Sequence, residues 1–542
     1  MVVWTSSDPT LPEPTEPLYQ RIVRSLEARI QTNPDAIALI KAENGYETKC
    51  SELLLMVQKL VTFFELRGIG KGDIIQGCTP NCPEYLAYVI AANAVGAVHL
   101  PFDPNNAETE CRDIMRKYQA KAILSEEQHI DLVSRSSHGT DIKTIIGIRE
   151  NKNKTIPPTV FDFDNIMKLE PADLNKQRYA YNPDDIAYMP TSSGTTGKPK
   201  GVIHTQKSLY RMAETLIEYS KKWDDEIGRT NDYTILQQQM YHIYGMMLHF
   251  RCLIRGETAV QLRLINPVLF FKCIEKYQPR MLQVTPFLVL AMTKHQEAAN
   301  YNFSSVRAFF STGSLIGREV AEDFMKKYPN VKIGQGYGLS EIGLITAPRY
   351  RGAQNEHLHL GTLIGGGSMK ILDENGKELG YDEPGDIYIR NEALFKGYWK
   401  QPEATEAALI GGFYKTGDFG KMLPDGQLVF IDRKKDLVKV SGSFGVAAVE
   451  IEDSLLKILN IAEAAVVRVD HPVTVEAPYA FLVRKSTNIT ENEVWAHIKA
   501  NLAPLKRPVG FEFVDQLPRN RMGKVMKNSL TEKLQAKKTA KA

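Results

Sequence analysis

Apolar positions along this chain follow two rhythms that alternate through most of its length. Leu18, Ile22, Leu26 and Ile30 recur at fourfold spacing and predict an amphipathic helix over 18–33. Further helices are expected from about Ser51 to Leu66 and from about Pro83 to Ala94. Between them lie short β-branched runs, Ile74-Ile75 after a glycine-rich turn and Ala97-Val98-His99-Leu100 after Gly96. Helical stretches near 207–220 and 266–277 then alternate with the apolar runs 281–284 and 331–333. Helices interleaved with short strands predict doubly wound α/β subdomains.

The texture changes between 357 and 432. Runs at 369–372, 386–389 and 428–431 are separated by glycine turns, which predicts a small antiparallel or barrel-like unit. Five consecutive charges, Asp432-Arg433-Lys434-Lys435-Asp436, precede a new α+β pattern with strands at 464–467 and 480–483. The expected organisation is a large N-terminal domain over 1–432, a hinge at 433–436 and a small mobile α+β domain over 437–542. The basic stretch 532–542 is expected to fray. No long-period repeat or low-complexity linker interrupts the pattern.

A chain of 542 residues exceeds one ordinary core, and about two to four subdomains are expected. Its 43% hydrophobic and 24% charged residues are those of a globular protein. The formal net charge of +3 is near balance, so nucleic acid is not an expected partner and anionic ligands must be met by local groups. Cys78 and Cys82 have no His or Cys pair downstream, which argues against zinc. The N-terminus has no basic start followed by an apolar core, no window reaches about eighteen uninterrupted apolar residues, and the last residues are not Ser-Lys-Leu. The expectation is an intracellular, cytoplasmic protein without a membrane span; oligomeric state is not legible.

The most informative stretch is Ser192-Ser193-Gly194-Thr195-Thr196-Gly197-Lys198-Pro199-Lys200-Gly201, which follows the apolar run Ile186-Ala187-Tyr188-Met189. A chain leaving a strand through Gly-Thr-Thr-Gly can aim successive N–H groups and hydroxyls at one anion. Pro199 disfavours helix at Lys198, so the stretch is a loop. The Gly-x-x-x-x-Gly-Lys-Ser/Thr spacing of P-loop NTPases is absent. A generic Ser/Thr/Gly run is a polar surface loop. This one, however, resembles the phosphate-binding signature of the acyl-adylate-forming enzymes, a group that includes acyl-CoA synthetases, 4-coumarate–CoA ligases, luciferases and peptide-synthetase adenylation domains.

Four more segments carry that resemblance in order, and it spans essentially the whole chain. Gln335-Gly336-Tyr337-Gly338-Leu339-Ser340-Glu341 is similar to the loop that stacks an aromatic ring on adenine and holds Mg²⁺, which implies those roles for Tyr337 and Glu341. Tyr414-Lys415-Thr416-Gly417-Asp418, with Arg433, resembles the ribose clamp. Gln239-Met240-Tyr241-His242-Ile243-Tyr244-Gly245 has Gln239 where the family has Pro; His242 is similar to the residue that gates acyl pocket and thiol tunnel. Without that context a lone histidine is more often a satisfied core residue. Pro518-Arg519-Asn520-Arg521-Met522-Gly523-Lys524 resembles the frame that lays a lysine over the carboxylate and α-phosphate.

The resemblance implies an ATP-dependent carboxylic acid–CoA ligase. It would form an acyl-AMP with release of pyrophosphate, then acyl-CoA and AMP. Lys524 and His242 are the implied catalytic residues. Ser192, Ser193, Gly194, Thr195, Thr196, Lys200, Gly313, Gln335, Gly336, Tyr337, Ser340, Asp418, Arg433 and Lys435 would bind ATP, and Glu341 the Mg²⁺. Lys439, Ser441, Gly442 and Arg263 would meet coenzyme A, and Tyr244 and Leu248 would line the acyl pocket. That pocket is largely apolar in sequence, which favours a medium-chain fatty or aryl acid over a dicarboxylate. Two departures bear on the thiol tunnel and acyl pocket: the loop Ser443–Val449 is about one residue longer than usual and lacks a proline before Glu450, and Leu315 stands where Pro is typical. A luciferase-like adenylating oxygenase and a catalytically silent acyl- or nucleotide-binding protein are the alternative readings.

Overall fold

The computed structural model describes the chain except for residues 1, 10, 104–105, 151–154, 193–199, 229–232, 350–358, 435–436, 441–443, 472–474, 486–488, 520–524 and 540–542. The first predicted helix forms over Leu18–Thr32 and buries Leu18, Ile22 and Leu26, the fourfold stripe read from the sequence. The second and third form over Cys50–Leu66 and Pro83–Val95. Pro83 starts the third helix with a φ already set, and Gly96 stops it in the left-handed region at φ 76°.

These helices cover a sheet whose parallel strands run in the order Ile186–Tyr188, Val98–Pro101, Ile74–Cys78, Ala122–Glu126, Thr144–Ile148 and Phe161–Asp162. Strand Lys200–Thr205 joins its edge antiparallel to Ile186–Tyr188. A second sheet places Tyr233–Leu236, Thr258–Gln261 and Ile37–Lys41 parallel, with Glu47–Lys49 antiparallel at its margin. A third is wholly parallel: Met281–Val284, Ala308–Ser311 and Lys332–Gln335. In open parallel sheets, ligands gather beyond the carboxyl ends of the strands. Ser311, Thr312 and the Gln335-Gly336 pair lie at such ends here.

The region after 357 forms the expected antiparallel sheet, built on Ser368–Leu372, Gly385–Arg390, Phe413–Met422 and Leu428–Arg433. Trp4–Thr5 adds a strand from the opposite end of the chain. The small C-terminal domain has its own five-stranded sheet and its own apolar core around Val466, Ala480, Leu482, Ile451 and Val494. Its last helix, Lys527–Thr539, corrects the expectation of fraying from 532. Leu530 and Leu534, one turn apart, bury against Phe481 and Leu517, and Lys537 pairs with Glu512 at 2.7 Å. Among the described residues no helix is long and apolar enough to cross a membrane.

Three histidines are enclosed by this packing. Burial pushes His99 down to about 3, and His204 and His249 down to about 4. Each stays neutral in the folded chain while its unfolded counterpart takes up a proton below about pH 6.5. The folded-state values are depressed, so the stability they allow is present above pH 6.5 and lost as pH falls toward their folded values. At pH 5 the loss is about 2 kcal/mol per histidine. Urea denaturation is therefore expected to show a midpoint well below its pH 7.5 value at pH 5, and His99→Gln should remove about a third of that drop. An unchanged pH dependence in the variant would contradict this account.

Candidate active site

The stem of the Ser/Thr/Gly loop is a β-hairpin. Thr191 and Ser192 pair antiparallel with Gly201 and Lys200, so the loop 193–199 leaves and re-enters the fold at one fixed point. On the same strand Val202 and Ile203 pair with Tyr398 and Gly397. The Lys200 ammonium lies 4.9 Å from the centre of the Tyr398 ring, a cation–π distance. The Tyr398 hydroxyl donates to Glu341 Oε1 at 3.0 Å and meets the Tyr414 hydroxyl at 3.4 Å. Glu341 is 5% exposed. Burial raises its carboxyl above the ordinary range, while the hydroxyls of Ser192 and Tyr398 beside it pull the other way.

A second carboxylate lies further along the strand that carries Tyr414. Asp418 stands opposite Arg433 in the antiparallel ladder, with Arg433 Nε 3.5 Å from its Oδ1. Its other oxygen accepts from the Tyr337 hydroxyl at 2.5 Å. Burial, then the neighbouring Asp418 charge, pushes the Tyr337 phenol well up, so it remains a neutral donor. The Thr416 hydroxyl accepts from the Asp418 N–H at 3.0 Å and fixes the turn before it. Gly336, next to Tyr337, cannot carry a side chain: a Cβ there would lie 2.5 Å from the Phe310 ring and 2.8 Å from the Thr346 carbonyl.

The segment after strand Ala308–Ser311 is tied to this wall. Gly313 turns with φ 93°, and Gln335 Oε1 accepts from the Ile316 N–H at 2.7 Å. The Ser340 carbonyl meets His204 at 2.7 Å. Ser192, Lys200, Glu341, Tyr398 and Tyr414 thus form one group of contacting side chains, and Ser340 is tied to the same strand as Lys200 through His204. Tyr337, Asp418 and Arg433 form a second group, with Gln335 and Gly336 just before Tyr337 in the chain, and strand Phe413–Met422 carries a member of each, Tyr414 and Asp418. No motif marked Tyr398 or His204; only the aromatic run Phe395–Trp399 hinted at the first. The predicted residues Ser193, Gly194, Thr195, Thr196, Lys435, Ser441, Gly442 and Lys524 lie outside the described residues. Lys439 falls on strand Val438–Val440 of the small domain.

The remaining predicted residues lie on other elements. His242 precedes helix Ile243–Arg255, and burial lowers its pKa against the opposing effect of Asp103. Tyr244, the second residue of that helix, has its phenol raised by burial, with Thr312 beside it. Leu248 is fully buried in the main core. Arg263 is engaged by two carboxylates, Glu126 at 2.6 Å and Glu150, and its carbonyl accepts from Gln239 at 3.1 Å.

Among the described residues no group of three or more His, Cys, Asp or Glu could hold a metal ion. A lone buried carboxylate such as Glu341 nevertheless fits Mg²⁺, which takes one or two carboxylates and completes its shell with phosphate oxygens and water.

The Arg433–Asp418 pair and the buried Glu341 thus lie on elements next to the pairing of Thr191–Ser192 with Lys200–Gly201. Residues 26–399 match the family model of AMP-binding enzymes, and residues 450–524 that of the AMP-binding enzyme C-terminal domain. The chain belongs to the AMP-binding enzyme family, among its AMP-forming acid–thiol ligases. It is 30% identical to a 4-coumarate–CoA ligase of Petroselinum crispum over 92% of this chain and 91% of that one. It is 31% identical to the 4-coumarate–CoA ligase of Vanilla planifolia over 86% and 85%. The fold matches ATP-bound MatB from Rhodopseudomonas palustris with a TM-score of 0.83 at 24% identity, covering 96% of this chain and 99% of that one. It also matches the anthranilate CoA ligase AuaEII in complex with anthranoyl-AMP, with a TM-score of 0.84 at 21% identity, covering 97% and 99%.

The Tyr337–Asp418 bond joins the two halves of this wall. A hydrogen bond to a buried charge contributes about 1.5–3 kcal/mol. Tyr337→Phe is expected to lower the unfolding free energy by about 2 kcal/mol in urea titrations; a loss below about 0.5 kcal/mol would mean that Asp418 is held by Arg433 alone.

Proposed function

We propose that this chain is an ATP-dependent carboxylic acid–CoA ligase whose acid is a medium-chain fatty or aryl acid. The observation that carries the reading is the pair of buried carboxylates near the Ser192–Lys200 pairing: Glu341, held by Tyr398, and Asp418, held by Tyr337 and Arg433. Asp418 with Arg433 offers an acceptor and a donor for the ribose hydroxyls. Tyr337, with glycine on both sides, gives adenine a flat aromatic face. Ser192, Lys200 and the loop between them would hold the β- and γ-phosphates. Glu341 would be the protein ligand of Mg²⁺, which when bound neutralises phosphate charge.

A carboxylate is a poor acyl donor because its leaving group would be oxide. Attack of its oxygen on the α-phosphorus forms the mixed anhydride and expels pyrophosphate. Two anions must meet, so the step depends on positioning and charge neutralisation. Lys524 would lie over the carboxylate and the non-bridging oxygens as a point charge. Thiol attack on the acyl carbon needs the space that lysine fills, so the small domain would turn about 433–436, with 1–432 and 437–542 moving as the two bodies. Lys439, Ser441 and Gly442 would then face the pantetheine arm, and His242 would gate the tunnel. For Arg263 to meet a CoA phosphate it must give up Glu126 or Glu150. The 4-coumarate–CoA ligase relatives support CoA as acceptor over the oxygenase reading, and they favour an aryl acid.

The test is exchange of radiolabelled pyrophosphate into ATP over a panel of fatty and aryl acids. Exchange should require an acid and fall on the order of a hundredfold or more in Lys524→Ala, with acid-dependent AMP release on adding CoA. Absence of exchange with every acid would leave a nucleotide-binding protein, and light emission with a luciferin and oxygen would point to the oxygenase.

A further inference from the structure

His204 sits four residues beyond Lys200, on the strand that leaves the phosphate loop, and is fully buried. Its Nε2 lies 2.7 Å from the Ser340 carbonyl oxygen and its Nδ1 lies 3.3 Å from Ser208 Oγ. A carbonyl only accepts, so Nε2 carries the proton and Nδ1 is left facing the Ser208 hydroxyl, which also has the Thr205 carbonyl within reach at 3.2 Å. Ser208 is itself fixed by the Thr205 N–H, which donates to its Oγ at 2.8 Å in the capping box of helix Gln206–Ile227. The Ser340 carbonyl therefore sets the tautomer of the ring, and the start of one helix backs its other nitrogen.

What it holds is the residue before Glu341. The next carbonyl, that of Glu341, accepts from the Phe395 N–H at 2.8 Å. Two successive carbonyls are thus pinned from opposite sides, and the direction in which the Glu341 side chain leaves the backbone follows. From this geometry we propose that His204 is a positioning residue for the carboxylate read as the Mg²⁺ ligand: by holding the Ser340 carbonyl it keeps Glu341 turned toward Ser192 and Tyr398. The inference rests on the reading of Glu341 as the Mg²⁺ ligand given above.

A histidine that merely fills space would give another result on substitution. In His204→Leu the Ser340 carbonyl loses its donor. In His204→Gln the amide nitrogen reaches the place of Nε2, whereas in His204→Asn it reaches only that of Nδ1. Residues that orient a metal ligand commonly account for about 10–100-fold in metal affinity. Calorimetric binding of ATP with Mg²⁺, of ATP with a chelator, and of AMP to the whole protein separates the cases. Wild type should bind ATP more tightly with Mg²⁺. His204→Leu and His204→Asn should lose about tenfold or more of that gain, with chelated-ATP and AMP binding within about twofold of wild type. His204→Gln should restore most of the gain. Equal behaviour of the Gln and Asn variants, a full Mg²⁺ gain in His204→Leu, or a parallel loss of AMP binding would overturn the proposal. Should His204→Leu not fold, the Gln and Asn pair decides alone. If Glu341→Gln itself keeps the full Mg²⁺ gain, the metal reading of Glu341 fails, a result separate from any obtained with His204.

Discussion

Strand Lys200–Thr205 is paired along both of its edges, and the arrangement of the site depends on that. Its backbone pairs with Ile186–Tyr188 and, in the same register, Thr191–Ser192 on one side, and with Gly397–Tyr398 on the other. Buried N–H and C=O groups left unpaired are costly, so the register of such a strand leaves little freedom. The register sets Ser192 opposite Lys200, which closes the phosphate loop, and Val202 opposite Tyr398, which brings a phenol to Glu341. The Trp399 N–H to Gly201 and the Lys396 N–H to Ile203, at 2.9 and 2.8 Å, add two more backbone ties. Residues some two hundred positions apart in sequence reach one site because one ladder has only one good register.

The two buried carboxylates in that site are held in opposite ways. Asp418 has a guanidinium in its own ladder and a phenol donating to its other oxygen, so its negative charge is paired within the protein. Glu341 has hydroxyls around it, and Lys200 lies over the Tyr398 ring, 4.9 Å from its centre. Burial accordingly raises the Glu341 carboxyl. An under-compensated carboxylate is a place where an incoming cation gains more than it would at a paired one. The fold thus distinguishes a carboxylate whose charge is paired with a guanidinium from one met by hydroxyls.

Much of this was legible in the chain, and what was not has physical reasons. The helix Leu18–Thr32 showed itself because its apolar face recurs at helical spacing, and Pro83 and Gly96 bracket the next one at both ends. Strand Ile461–His471 was read only at 464–467, because its outer positions carry the charged Glu463, Arg468 and Asp470, none of which is buried. The last helix was missed since only Leu530 and Leu534 mark its buried side amid lysines. Trp4–Thr5 pairs with residues beyond 360 and leaves no local trace of that. In the site, the glycine-rich and acidic motifs announce themselves by composition. Tyr398 and His204 do not, because each matters only through a partner distant in sequence, and a buried tyrosine or histidine looks like any other core residue.

The junction between the two domains obeys the same accounting. Asp432 is the penultimate residue of strand Leu428–Arg433 and is 4% exposed. One of its oxygens accepts from the Arg433 N–H at 2.8 Å. The other accepts from the Ala448 N–H at 2.9 Å, the first residue of helix Ala448–Leu456 in the small domain. A carboxylate at a helix N-terminus satisfies an orphan donor and complements the helix dipole. Any turn of the small domain about 433–436 that carried this helix away must break the Ala448 bond while leaving that to Arg433 intact. A bond to a charged acceptor contributes about 1.5–3 kcal/mol, enough to favour one orientation and small enough for ligand contacts to offset. The charged run therefore begins at the residue that links the two domains, and Arg433, which pairs with Asp418, is its immediate neighbour.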